Sequence, residues 1–181
     1  MSKWRLLLQT VSVATLASVI YGLVHDQITI RICPEYFTIW HPHVVDTNDL
    51  TVLALVWGFI ATWWMGAILG TVIGASAILG RRPLPPFRCI VRWIVAILAG
   101  SAACATVTGL VFWILRINIP YAVFDSRMSA TSLEVQRRFT IDLAIHNASY
   151  NASAIGAIVA GLFILRYRSK LALTSVRAQE S

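Results

Sequence analysis

The sequence predicts an all-α fold, an integral membrane four-helix bundle with an extracytoplasmic loop cap. Two observations lead to this prediction. First, 57% of the 181 residues are hydrophobic and 13% are charged, whereas soluble domains contain roughly 25% charged residues. Second, four apolar segments without charged residues are long enough to cross a hydrocarbon core, which needs about 20 helical residues. We expect one membrane domain, 1–181, with spans at about 6–24, 50–80, 93–115 and 147–165.

The basic residues predict the orientation, because lysine and arginine near the ends of spans stay on the cytoplasmic side. Ten of the 15 lie at the N-terminus, in the connection 81–92 and in the tail 166–181. The other two loops, 25–49 and 116–146, hold seven of the eight acidic residues and all four histidines. We therefore expect a multi-pass protein of the bacterial inner (plasma) membrane with both termini cytoplasmic.

The net charge of +7 follows mainly from this orientation. The basic C-terminal tail adds to it and is expected to touch anionic lipid. The expected partner is therefore the lipid bilayer, and no nucleic-acid partner is expected.

The first span begins like a secretory signal, with Lys3 and Arg5 ahead of an apolar run. No small-x-small cleavage site follows, so we expect this segment to be retained as a helix. Ser18, Gly22 and His25 recur at three- and four-residue spacing, which places them on one helical face. That face is expected to look into the bundle and to end at His25.

The first outer loop changes to a period of two. Three isoleucines alternate with Thr, Arg and Cys, and an aromatic-rich stretch follows the next proline. Alternation and β-branching indicate short extended segments broken at the proline. An extended segment 35–43 would turn Glu35, His41 and His43 to the same side. Because the loop is rich in Ile, Phe and Trp, we expect it to fold over the helix ends as a cap.

The second span carries Gly66, Gly70 and Gly74 at a strict four-residue spacing. This is a close-packing surface of the GxxxG type. We favour contacts inside the bundle. The alternative is a homo-oligomer, or a membrane partner protein that docks on the same glycines.

The second outer loop predicts an amphipathic helix from about residue 132, continuing unbroken into the fourth span. Glu134, Arg138, Asp142 and His146 recur at every fourth position and line one face. Arg138 is expected to form an ion pair with Asp142 or Glu134. His146 then lies on a rigid element at the membrane surface, level with His25.

Five imidazole and carboxylate side chains predict a mono- or dinuclear metal site at this surface, and they are His25, Asp26, Glu35, His41 and His146. Three imidazoles favour zinc, iron or copper over magnesium or calcium, which prefer oxygen. Asp142, one turn from His146, is expected to hold the ligand imidazole by a hydrogen bond. His43 and Asp46 are expected to be solvated. No strict spacing motif such as HExxH is present, and no catalytic residue is assigned.

An enzyme with a site at this depth would suit membrane-surface redox chemistry or metal-assisted hydrolysis of a lipophilic substrate. Two other interpretations stay open. A haem b carrier would use His25 and His146 as axial ligands between helices. A non-catalytic membrane subunit would bind partner proteins through its cap and its glycines. A transporter is disfavoured, because no charged residue lies deep in any span.

Three short elements resemble those of bacterial four-helix inner-membrane proteins of unassigned activity, and they are HDQ (His25 to Gln27), PEYFT (Pro34 to Thr38) and HP (His41 to Pro42). The resemblance covers the first helix and loop, about a quarter of the chain. It implies the same four-helix architecture and carries no activity with it.

Overall fold

Most of the described residues lie in four long helices. The computed structural model describes residues 2–119 and 126–180. Its four long helices are α1 (Lys3–Thr29), α2 (Leu50–Ile78), α3 (Phe87–Ile114) and α5 (Leu133–Glu180). Two short segments lie between them, the π-helical turn Tyr36–Trp40 and α4 (Ser126–Ser129), and these described residues contain no strand. All four long helices are long and apolar enough to cross a membrane, so the predicted all-α membrane bundle is confirmed.

The long helices pack as two pairs. Helix α1 packs along α2 and α3 packs along α5, while contacts between α2 and α5 join the pairs. Helices α1 and α3 contact each other much less. Helix α5 begins at Leu133 and continues through the fourth apolar segment, as predicted. The end of the bundle where α1 and α3 finish and α5 begins is called the cap end below.

Small residues let α1 and α2 approach closely. A Cβ atom added to Gly22 would lie 2.5 Å from the carbonyl oxygen of Gly58, and one added to Gly70 would lie 2.8 Å from the backbone of α1. Side chains do not pack at such distances, so this crossing requires glycine. Gly66 and Gly74 also face α1. Packing inside the bundle therefore occupies the predicted glycine surface.

The buried face of α1 includes an acidic residue near its end, followed by the buried Thr29. Its buried positions recur every four residues, at Leu6, Thr10, Ala14, Ser18, Gly22 and Asp26. Asp26 is only 4% exposed, although carboxylates are almost never fully buried unless paired. Ser18 and Gly22 lie on the buried face as predicted, but the face continues to Asp26, and His25 is only partly buried. Close packing on α2 forces Asp26 into the interior at the cap end.

The opposite end of the bundle is held by Arg168 of α5. Its guanidinium is fully buried. It donates to four backbone carbonyls at 2.8 to 2.9 Å, those of Ser76, Leu79, Arg82 and Pro83. Carbonyls at a helix C-terminus have no partner within the helix. One side chain thus caps α2 and fixes the connection to α3.

The predicted cap is present, but its predicted extended segments are wrong. Helix α1 runs to Thr29, and Tyr36–Trp40 is a π-helical turn. The amide of Cys33 donates to the carbonyl of Thr29 at 3.1 Å, which continues the helical pattern. Ile30 and Cys33 are fully buried in one apolar cluster with Phe139 of α5. Burial of these side chains overrides the strand preference of β-branched residues.

Candidate metal site

Three of the predicted ligands meet at the cap end, between α1 and α5. His25 and Asp26 lie near the end of α1, and His146 lies near the start of α5. One ligand atom of each lies within 4.8 Å of the other two. Asp26 and His146 are 4% and 7% exposed, and His25 is partly buried. Two imidazoles and one carboxylate are thereby concentrated in a small, mostly buried volume.

The contact between Asp26 and His146 has the spacing expected for two ligands of one ion. Asp26 Oδ1 lies 3.4 Å from Nε2 of His146. This is longer than the usual N–H···O hydrogen bond of about 2.9–3.0 Å. Two ligands that each lie roughly 2.0–2.1 Å from a tetrahedral metal are about 3.4 Å apart. The observed distance is compatible with a shared cation, and equally with an ion pair between Asp26 and a protonated His146.

Asp142 orients the His146 ring. Nδ1 of His146 lies 2.9 Å from the backbone carbonyl oxygen of Asp142 and 3.1 Å from its carboxylate Oδ1. The carbonyl accepts the aligned hydrogen bond from Nδ1, and the carboxylate oxygen lies beside the same nitrogen. With its proton on Nδ1, the imidazole turns the Nε2 lone pair towards Asp26. This is the usual arrangement of a metal-binding histidine, in which the second nitrogen donates to a carbonyl or carboxylate.

Two carboxylates are buried against this one imidazole. Asp142 is 0% exposed, and its carboxylate oxygens accept no hydrogen bond from the described residues. A protonated His146 would balance one of the two negative charges. The other would stay unpaired in the interior, which is energetically costly. A bound divalent cation would balance both charges.

His25 has one ring nitrogen held and one free. Its Nδ1 lies 3.4 Å from the hydroxyl oxygen of Tyr21, which lies 2.8 Å from Oγ of Ser149. Its Nε2 is buried and has no hydrogen-bond partner in residues 2–119 and 126–180. A buried polar atom without a partner costs stability. Coordination of a cation by Nε2 would remove that cost, with Tyr21 keeping the ring in position.

A small cavity with several polar side chains in its wall adjoins these ligand atoms. Its volume is about 30 Å³, enough for one or two water-sized molecules. Its polar lining includes Tyr21, His25, Asp26, His146, Ser149 and Tyr150. A cation held by the three ligands would have room beside it for a small exchangeable ligand.

No protein family, curated protein or solved structure matches the chain. The rings of His25 and His146 are in edge-to-face contact, with centroids 4.9 Å apart. Rings in direct contact leave no space between them for a porphyrin, so the arrangement gives the haem alternative no support.

His41, also predicted as a ligand, lies in an aromatic cage of the cap. Its ring centroid is 4.3 Å from that of Trp57 and 4.7 Å from that of Tyr36. Its Nδ1 donates to the carbonyl oxygen of Tyr36 at 2.8 Å. Burial lowers the pKa of His41, so the imidazole is neutral at neutral pH. Its nitrogens do not join the three-ligand group among the described residues.

Glu35, the remaining predicted ligand, forms an ion pair with Arg138 at 3.2 Å. The thiol of Cys33 donates to its other carboxylate oxygen at 3.5 Å, and burial raises the pKa of Cys33 to about 12. The expected pairing of Arg138 with Asp142 or Glu134 is therefore wrong. Asp142 lies under His146 in the interior, whereas the Arg138 side chain reaches outwards to the cap.

The remaining loop residues stay outside the site. His43 and Asp46 are exposed, as predicted. Glu134 is paired with Arg137, at 3.8 Å. The polar groups of His43, Asp46 and Glu134 are exposed and can form hydrogen bonds with water.

Tyr36 is the main residue that the sequence did not predict. Its ring stacks on that of His146, with centroids 4.7 Å apart and an angle of 24° between the planes. Burial raises the pKa of Tyr36, so its hydroxyl stays protonated. No periodicity signals this contact, because it depends on a π-helical turn, a rare conformation that often occurs at functional sites.

Proposed function

We propose that this chain is a multi-pass bacterial inner-membrane protein that binds one transition-metal ion through His25, Asp26 and His146. With cytoplasmic termini, as the basic residues predict, the site lies at the extracytoplasmic surface. One observation carries the proposal. One ligand atom from each of the three residues lies within 4.8 Å of the other two, in a place where the buried Nε2 atom of His25 has no hydrogen-bond partner among the described residues.

The proposed ligand set is typical of a catalytic site. Structural zinc sites are closed by four protein ligands, whereas catalytic sites use three and leave a position for water or substrate. Two histidines and one carboxylate are also the ligands of many non-haem iron oxygenases. The cavity of about 30 Å³ beside the ligands suits such an open position. We therefore propose a metal-dependent enzyme acting on a lipophilic substrate.

The metal determines the chemistry. Zinc would activate a bound water for hydrolysis, and iron or copper would support redox reactions. Asp142 holds the His146 ring and Tyr21 holds the His25 ring. Glu35 and His41 are not part of the proposed ligand set. Glu35 forms an ion pair with Arg138, and the His41 ring packs against Trp57 in the aromatic cage.

The test is elemental analysis with a visible absorption spectrum of the detergent-purified protein. The wild-type protein and His43→Ala, a change at an exposed loop histidine, should each contain about one zinc, iron or copper ion per chain. His25→Ala, Asp26→Asn and His146→Ala should lose it while eluting as folded protein in gel filtration. A Soret band would replace this proposal with a haem carrier. Absence of metal and chromophore, even after reconstitution, would contradict it and favour a partner-binding subunit.

A further inference from the structure

A second and larger cavity lies between α1 and α3, with α5 at its back. Its volume is about 590 Å³, within the range of about 300–1,000 Å³ for small-molecule sites. Much of its wall is apolar and exposed on the membrane-facing surface, including Val24, Ile28, Ala102, Leu110 and Trp113. It exists because α1 and α3 pack mainly on other helices and hardly on each other. A molecule dissolved in the bilayer therefore reaches it sideways, without crossing water.

The cap end of this groove carries two arginines. Arg137 and Arg138 both line it, and the Nε atom of each is buried without a hydrogen-bond partner in the described ranges. Arg137 is fixed in place, because its Nη2 donates to the carbonyl of Trp113 at 3.0 Å. Its ion pair with Glu134 is weak, at 3.8 Å and with the Glu134 side chain 66% exposed. Arg138 is paired through its Nη2 atom with Glu35 at 3.2 Å, and Glu134 also lines the groove. The remaining N–H donors of the two guanidinium groups favour phosphate, which accepts two parallel hydrogen bonds.

The groove also leads to the proposed metal ligands. Tyr21 and His25 line both this groove and the small cavity that Asp26 and His146 also line. They form a shared wall between the two spaces. A molecule in the groove would therefore lie directly against a ligand imidazole.

We propose that the groove binds one anionic phospholipid, with an acyl chain between α1 and α3 and its phosphate at Arg137 and Arg138. The apolar wall suits an acyl chain, and the opening towards the membrane lets a lipid enter from the bilayer. The two arginines suit the negative charge of a lipid phosphate. Anionic phospholipid is then the substrate class of the metal site, a step that rests on the proposed function. Binding of the lipid does not depend on the metal.

Native mass spectrometry of the full chain, released from nanodiscs, tests this proposal. The nanodiscs contain either phosphatidylglycerol or phosphatidylcholine, with identical acyl chains. One lipid molecule should stay bound to each protein molecule, and the bound fraction should be about tenfold higher for phosphatidylglycerol, since hydrogen bonds to charged groups are strong. The double variant Arg137→Gln/Arg138→Gln should lose this preference. Arg116→Gln is the matched control, because Arg116 is exposed near the same end and does not line the groove.

A second pair of variants tests the apolar part of the groove. Ala102 and Ala103 are both exposed on α3, but only Ala102 lines the cavity. Ala102→Phe should reduce lipid retention at least fivefold, since the ring fills the groove, and Ala103→Phe should leave it unchanged. Equal retention of phosphatidylcholine, retention of a neutral quinone instead, or full retention in Ala102→Phe would overturn the proposal.

The lipid and metal proposals fail separately. Removal of metal with a chelator should leave phosphatidylglycerol retention unchanged. Lipid retained by a protein that never binds metal would overturn the metal site and the substrate assignment, and leave the lipid site standing. Metal bound at full stoichiometry without lipid preference would overturn the lipid site alone.

Discussion

Replacing Asp142 by asparagine separates the orientation of His146 from the coordination of the metal. The carboxylate is fully buried and lies 3.1 Å from Nδ1 of His146. Asparagine keeps its size and the backbone carbonyl that accepts the hydrogen bond, but removes the charge. Loss of such a supporting carboxylate typically weakens metal binding by about 10–100-fold. Metal affinity should therefore fall by that factor without being abolished.

The same change should affect the stability of the two forms differently. At the proposed site, metal at about 1,000 times its Kd would stabilise the wild-type protein by about 4.1 kcal/mol, and a tenfold weaker site would gain about 2.7 kcal/mol at the same concentration. Without metal, Asp142→Asn removes a buried carboxylate that accepts no hydrogen bond in the described part of the chain, so the metal-free protein should be no less stable.

The assays are a competition titration against a chromophoric chelator and thermal unfolding with and without metal. Glu134→Gln, at an exposed acid on the same helix, is the control and should match the wild-type protein in both. Wild-type affinity in Asp142→Asn would refute the orienting role of Asp142. Complete loss of metal, as expected for His146→Ala, would show instead that Asp142 is itself a ligand.

Three further predictions concern the packing and the cap. Gly70→Ala should lower the free energy of unfolding by about 1–3 kcal/mol, because its Cβ would lie 2.8 Å from the α1 backbone. Gly100→Ala, with nothing within 4 Å, should leave it unchanged or raise it by up to about 1 kcal/mol. Thermal unfolding in detergent measures both. Arg168→Lys keeps the charge but supplies fewer donors than the four carbonyls accept, so it should cost about 1–3 kcal/mol. Arg166→Lys, at an exposed position, should cost little. His41 has a folded-state pKa below its ordinary value of 6.5, so the unfolded chain binds the proton more readily. Stability should therefore fall as the pH drops through about 6.5, and this slope should be smaller in His41→Gln; equal slopes in urea titrations at pH 5 to 8 would contradict the burial argument.

The helical architecture was predictable because the bilayer allows few solutions. Backbone groups in lipid must be hydrogen-bonded within the segment, so a long apolar run becomes a helix. Helices that cross the same thickness also bring their ends level, which is why His25 and His146 could be matched from opposite ends of the chain. Asp142 followed from its four-residue spacing to His146. The resemblance to four-helix membrane proteins of unassigned activity stays a prediction.

The cap was not predictable in detail, because it depends on tertiary contacts. Alternating isoleucines suggested strands, but burial of Ile30 and Cys33 extends the helical pattern. The positions of Glu35 and His41 follow from the π-helical turn, which no sequence period indicates. Asp26 was predicted as a ligand, but its burial arises from a four-residue stripe along α1 whose register only the packing on α2 reveals.

X-ray absorption spectroscopy of the metal-loaded protein tests the metal site most directly. The proposed site predicts two imidazole nitrogens and one carboxylate oxygen at about 2.0–2.2 Å, with any remaining position filled by a light atom. His25→Ala, reconstituted at high metal concentration, should show one imidazole fewer, while His43→Ala should give the wild-type spectrum. Sulfur at about 2.3 Å, or an unchanged imidazole count in His25→Ala, would contradict the site formed by His25, Asp26 and His146.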